Sequence, residues 1–256
     1  MRYGFLVLLL CCFLGACATV TTNTSLSSGN RAELVRRAEL RMQLATAYYS
    51  EGQYATALSE LDQALQTGER KADVLGLRGL VLMQLGDSQG AYSNLQQALH
   101  IEPDSPGLLN NMGWLLCETG QPEHALPLFD RAMANKAYTT PATAMMNAGR
   151  CSIKLGQPAK AEQYFQRALL ADPEQSLAHA NLGKLAYEAH DYKRARRHLL
   201  KIISTGRARP EDYSLAMAVE RQLGDKLAEE SIARQWSKRY PDSLVSGKST
   251  RGQVDE

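Results

Sequence analysis

Five cysteines and five histidines are the residues of this 256-residue chain best equipped for covalent or metal chemistry. A thiol can be acylated, oxidised to a disulfide or bound to a metal, and an imidazole can carry a proton or ligate. Cys11 and Cys12 lie inside an apolar run, Cys17 closes that run, and Cys117 and Cys151 lie in the body of the chain. His100, His124, His179, His190 and His198 are scattered without ligand spacing, and no H-E-x-x-H, G-x-S-x-G or phosphate-loop pattern occurs. Carboxylates show no pairing that sets them apart from solvated helix faces. The expectation is a protein that is not an enzyme and needs neither metal nor cofactor.

The segment "MRYGFLVLLLCCFLGAC" has one early cation, apolar residues from Phe5 to Leu14, then small residues. The run is too short to span a bilayer and fits a secretory leader covering residues 1–16. Leu14-Gly15-Ala16-Cys17 resembles the bacterial lipobox, in which the cysteine thiol is diacylated before cleavage makes that cysteine the new N-terminus. The alternative is an ordinary leader cut near Ala16 or Ala18, with Cys17 incidental. Two or three acyl chains hold a protein stably at a membrane, because each buried methylene contributes about 0.8 kcal/mol. Ala18, where an aspartate would retain the protein in the inner membrane, matches the outer-membrane sorting pattern. From Cys17 to residue 30 the chain is rich in Thr, Ser and Asn and reads as a lipidated N-terminus and flexible tether.

The full chain is 44% hydrophobic and 22% charged, a globular composition. Its formal charge of +2 gives no reason to expect a nucleic-acid partner.

The elements that must position these residues come from an internal repeat. Gly79, Gly113, Gly149 and Gly183 are spaced by 34, 36 and 34 residues, and each is followed twelve residues later by Ala91, Ala125, Ala161 or Ala195. Leu95, Phe129, Phe165 and Leu199 come four residues further on, then Ala98, Ala132, Ala168 and the less typical Ile202. This is the tetratricopeptide signature of two helices per unit. It predicts an all-α superhelix of six units over residues 31–243, near 38–71, 72–105, 106–141, 142–175, 176–209 and 210–243, with a disordered tail over 244–256. Gly52, Gly86, Gly120, Gly156 and Gly224 should end the first helices in left-handed geometry. His190 takes that place in the fifth unit, so its turn should be less regular.

First helices of such units line a concave groove. Repeat geometry places Met42, Tyr49, Leu80, Met83, Asn110, Trp114, Met146, Arg150, Lys184 and Tyr187 toward it, with packing between hairpins as the alternative for each. The basic run Lys193, Arg194, Arg196, Arg197 and Lys201 is either a solvated face or a docking surface for acidic segments or anionic lipid.

Cys117 and Cys151 occupy the twelfth and tenth positions of adjacent units, at similar heights on neighbouring first helices. A disulfide forms there if the Cα atoms approach within about 7 Å, and two buried free thiols are the alternative. The motifs around them carry a resemblance. Asn110-Asn111-x-Gly113-Trp114-x-x-Cys117, then Tyr138-x-x-Pro141 and Asn147-Ala148-Gly149-x-Cys151, are similar to the type IV pilus biogenesis and stability lipoproteins, the PilF/PilW pilotins. Met112 and Arg150 depart from that pattern. The resemblance implies a monomeric outer-membrane lipoprotein on the periplasmic face, binding pilus secretin subunits and promoting their localisation and multimerisation, or stabilising fibres. An adaptor for peptidoglycan hydrolases or another secretion system is the competing reading.

Overall fold

The structure is a computed structural model that describes residues 23–241. Among the described residues there are twelve helices and no strand: α1 (Asn23–Ser50), α2 (Tyr54–Leu65), α3 (Lys71–Gln84), α4 (Ser88–Ile101), α5 (Pro106–Glu118), α6 (Pro122–Ala134), α7 (Pro141–Lys154), α8 (Pro158–Ala171), α9 (Ser176–Glu188), α10 (Tyr192–Ser204), α11 (Pro210–Leu223) and α12 (Lys226–Arg239). They form six antiparallel hairpins, each packed most tightly within itself and then through its second helix onto the next hairpin. First helices also touch directly, α1 with α3, α3 with α5, α5 with α7 and α9 with α11, while no comparable contact joins one second helix to the next. The first helices therefore line the tighter, inner face of the stack.

The residue types explain the close packing. A Cβ added at Gly113 would lie 2.8 Å from Phe129, and one at Gly149 would lie 2.5 Å from Phe165. The ring of the second helix thus rests on the bare backbone of the first, sixteen residues earlier in the chain. Leu95 on Gly79 and Leu199 on Gly183 repeat the arrangement with smaller side chains. Ala91, Ala125, Ala161 and Ala195, beside these contacts, are fully buried.

Helix ends follow local chemistry. Proline occupies the first turn of α5, α6, α7, α8 and α11, where no amide hydrogen is needed. The carboxylates of Asp87, Asp191 and Asp225 accept the third-residue amides of α4, α10 and α12, at 2.8, 3.0 and 3.0 Å. Between α3 and α4, Gly86 at φ 81° lets its amide reach the Met83 carbonyl while that of Asp87 reaches Leu82. The expected irregular turn at His190 is corrected: at φ 58° it makes the same two bonds, His190 to Tyr187 and Asp191 to Ala186. The imidazole Nδ1, 2.9 Å from the Tyr192 hydroxyl, supports a conformation that costs a non-glycine residue about 1 kcal/mol.

Two boundaries depart from expectation. The described part of helix α1 starts at Asn23, so residues 23–30 of the expected tether are helical. Ion pairs from Arg31 to Glu69 and from Arg70 to Glu39 pin this first helix to the loop before α3. The two-residue insertion lies between α6 and α7, where Asn135 donates to the Asp104 carbonyl at 3.1 Å and Tyr138 packs onto the core. The leader, Cys17 and the tail over 244–256 lie outside the described residues.

Candidate functional site

Solvent exposure selects one stripe on the inner face of every first helix. In α5 it runs Gly107, Asn111, Trp114, Glu118; in α7, Thr143, Asn147, Arg150, Lys154; in α9, Leu177, Asn181, Lys184, Glu188. The spacing of four, three and four residues is that of one helix face. In α3 the same positions hold Asp73, Leu77, Leu80 and Gln84.

Of the residues expected in the groove, Leu80, Trp114, Arg150 and Lys184 lie on this stripe. Met42, Tyr49, Met83 and Tyr187 are half-buried at its margin, packed against the cores of their hairpins. Burial raises the pKa of the Tyr49 hydroxyl, partly offset by its hydrogen bond with Gln84, and its ring meets Tyr54 edge-on at 5.5 Å. Asn110 and Met146 are corrections, because they are only 6% and 7% exposed and face the neighbouring hairpin. Asn111, Glu118, Asn147, Lys154 and Asn181 belong to the inner surface and were absent from the expected set.

The buried Asn110 organises the floor. Asn147 Nδ2 donates to Asn110 Oδ1 at 3.0 Å, and Asn110 Nδ2 donates to Asn111 Oδ1 at 3.3 Å. Rotating all three amides together would reverse the chain without changing its ends. Either way, one donor and one acceptor are left at the groove without a protein partner among the described residues.

Beside them Trp114 is half-buried against the central core, its indole Nε1 unpaired among the described residues. In the fourth and fifth units the floor carries ion pairs. Arg150 and Lys154 converge on Glu118 at 3.6 and 2.7 Å, and Lys184 meets Glu188 at 3.8 Å.

Directly beneath, Cys117 and Cys151 are joined in a disulfide with Cα atoms 5.8 Å apart, linking α5 to α7. The basic run on α10 is largely occupied by neighbouring carboxylates: Arg194 by Glu162 at 2.6 Å, Lys201 by Glu174 at 2.7 Å, and Arg196 by Glu220 and Asp225. That leaves Lys193 and Arg197 without an ion pair among the described residues. Two histidines meet across the α9–α10 turn, with His179 Nδ1 and His198 Nδ1 3.0 Å apart. Among the described residues no group of three or more His, Cys, Asp or Glu is arranged to hold a metal ion.

Tetratricopeptide repeat profiles match residues 42–107, 82–141 and 152–219, the units that build this surface. The chain belongs to the tetratricopeptide repeat family. It is also homologous to pilus biogenesis members of that family. It is 24% identical to the type IV pilus assembly protein PilF of Pseudomonas aeruginosa over 239 residues, 93% of this chain and 94% of that protein. The crystal structure of PilW, described as a widely conserved type IV pilus biogenesis factor, is 29% identical, with 80% of this chain and 94% of that one covered and a TM-score of 0.71. The structure of Pseudomonas aeruginosa PilF has the same fold, at 22% identity, coverage of 87% and 99%, and a TM-score of 0.72.

Proposed function

We propose that this protein is a non-enzymatic lipoprotein adaptor of type IV pilus biogenesis, a pilotin. The observation that carries the reading is homology to PilF and PilW over nearly the whole repeat array. In this reading the leader is removed, Cys17 is acylated, and the chain is held as a monomer on the periplasmic face of the outer membrane. The acyl chains supply the address. The inner surface captures secretin subunits and promotes their localisation and multimerisation.

The groove chemistry suits such capture. Leu77, Leu80 and Trp114 offer apolar anchorage in the second and third units, and the ion pairs of Arg150 and Lys154 with Glu118 and of Lys184 with Glu188 offer charged contacts beyond them. The free donor and acceptor at Asn111 and Asn147 match the needs of one peptide group. No bond is made or broken, so shape and complementary polarity suffice.

The test is deletion of the gene followed by blotting of outer-membrane fractions for heat-resistant secretin multimers. Loss of multimers, restored by the wild type but not by Cys17→Ser, supports both the adaptor role and its dependence on lipid. Multimers that persist unchanged overturn it and redirect attention to fibre stability or to another periplasmic partner.

A further inference from the structure

The first hairpin has no hairpin before it, and its exposed edge is not finished as a polar cap. Counting from the start of each unit, positions 3, 7 and 10 of the first helix face the preceding hairpin. In α5 these are Leu108, Met112 and Leu115, in α7 Ala144, Ala148 and Cys151, and in α9 Ala178, Leu182 and Leu185, all of them buried. The equivalent residues of α1 are Leu40, Leu44 and Ala47. Leu40 is 51% exposed and Leu44 is 44% exposed.

At the N-terminal end of this row stand Arg36 and Arg37, exposed and without an ion pair among the described residues, although Arg31, Arg41 and Arg70 nearby are all paired. The outward row from residue 36 to residue 47 therefore combines two free cations with two half-exposed leucines on one helix face.

We propose that this face of α1 rests on the anionic headgroups of the membrane to which the chain is anchored. The inference rests on the lipoprotein reading, and the length of chain before α1 favours lipid over another occupant. Cys17 and Asn23 are six positions apart, a span of at most about 20 Å. The start of α1 is thus held close to the surface at high effective concentration. Guanidinium groups pair with lipid phosphates, and leucine side chains enter the boundary between headgroups and acyl chains. No described helix is long and apolar enough to cross a membrane. With its edge on the membrane, the stack of hairpins rises from the surface and the groove opens sideways into the periplasm.

The opposite end of the array is different. The outward residues of α12 include Glu230, Arg234 and Lys238 beside Leu227, which is 79% exposed. A head-to-tail second copy would set those charges against Leu40 and Leu44, which disfavours such an assembly.

The experiment couples the mature chain through Cys17 to a maleimide-headgroup lipid, so that anchoring does not depend on native acylation. The vesicles contain either phosphatidylcholine alone or added phosphatidylglycerol, and hydroxyl-radical footprinting reads side-chain accessibility. Leu40 and Leu44 should become protected on phosphatidylglycerol vesicles, while Leu170 on α8 stays open. At about 1 kcal/mol per cation near an anionic surface, Arg36→Glu with Arg37→Glu should reduce docked occupancy at least thirtyfold and abolish the protection. Leu44 as reactive as in free protein overturns the proposal. So does protection that survives the double substitution, or that grows with protein density on the vesicle, as pairing between copies would produce.

Discussion

The carboxylate of Glu220, inside the last hairpin, receives both Nε and Nη2 of Arg196 from the hairpin before it. Arg196 also donates to Asp225, the cap of α12, at 3.2 Å. One guanidinium thus joins α10, α11 and α12. The Glu220 side chain is almost completely buried, and its two oxygens match the fork of the guanidinium.

Removing one partner should be far worse than removing both. Arg196→Leu leaves a carboxylate in an apolar surrounding, at a cost of about 3 kcal/mol, the low end for a buried pair because water reaches the arginine. The double variant Arg196→Leu/Glu220→Leu should recover most of that loss. Urea unfolding of the two variants checks this, and a single variant as stable as the double would show that the pair does not bear on stability.

Two glycines should fail for different reasons. Gly149→Ala forces a methyl group to within 2.5 Å of the Phe165 ring and should cost about 1–3 kcal/mol by overpacking. Gly156→Ala meets nothing within 4 Å but holds φ at 68°, so its cost of about 1 kcal/mol is conformational. Asparagine, which tolerates the left-handed region, should be accepted better than alanine at 156 and worse at 149. Thermal melts of the four variants separate the two causes.

These packing rules were legible in the sequence because small residues recur wherever backbones touch, and the recurrence fixes the unit. The inner surface was harder to read. Met42, Asn110 and Met146, at the fifth position of their units, were expected in the groove, but the exposed stripe runs through positions 2, 6, 9 and 13. At about 100° per residue the two stripes differ by roughly 60° around the helix and share only the ninth position. That shared position is why Trp114 and Arg150 were identified while Asn147 and Lys154 were not. The His179–His198 contact was hidden for a different reason: nineteen residues and a turn separate the rings, with no spacing rule connecting them.

The disulfide under the groove floor should matter for stability more than for shape. Cys117 and Cys151 are 34 residues apart, and a loop of that length gives an upper bound near 4 kcal/mol on the stabilisation from chain entropy. The expected loss for Cys117→Ala/Cys151→Ala is about 2–4 kcal/mol, with α5 and α7 still in direct contact. Non-reducing peptide mapping should recover the linked Cys117 and Cys151 peptides. Finding both thiols open to alkylation in the native protein would remove the staple.

Acid should loosen the fifth unit through His198. His179 Nε2 is 3.2 Å from the Pro173 carbonyl, which can only accept, so in the neutral pair His179 Nδ1 takes the hydrogen from His198 Nδ1. Burial, then the neighbouring His179 ring and the Arg197 and Arg194 cations, pushes the His198 pKa down to about 4. An unfolded chain protonates its histidines near 6.5 and so binds more protons than the fold between those two values. Stability should therefore fall as pH drops from about 6.5 and level off, for this group, below about 4. The ring is partly solvated, which limits the effect to roughly 1 kcal/mol. His198→Gln should lose less stability than the wild type between pH 7.5 and pH 4.5, measured by urea midpoints, since carboxylate contributions are common to both. Equal losses would place the acid sensitivity elsewhere in the array.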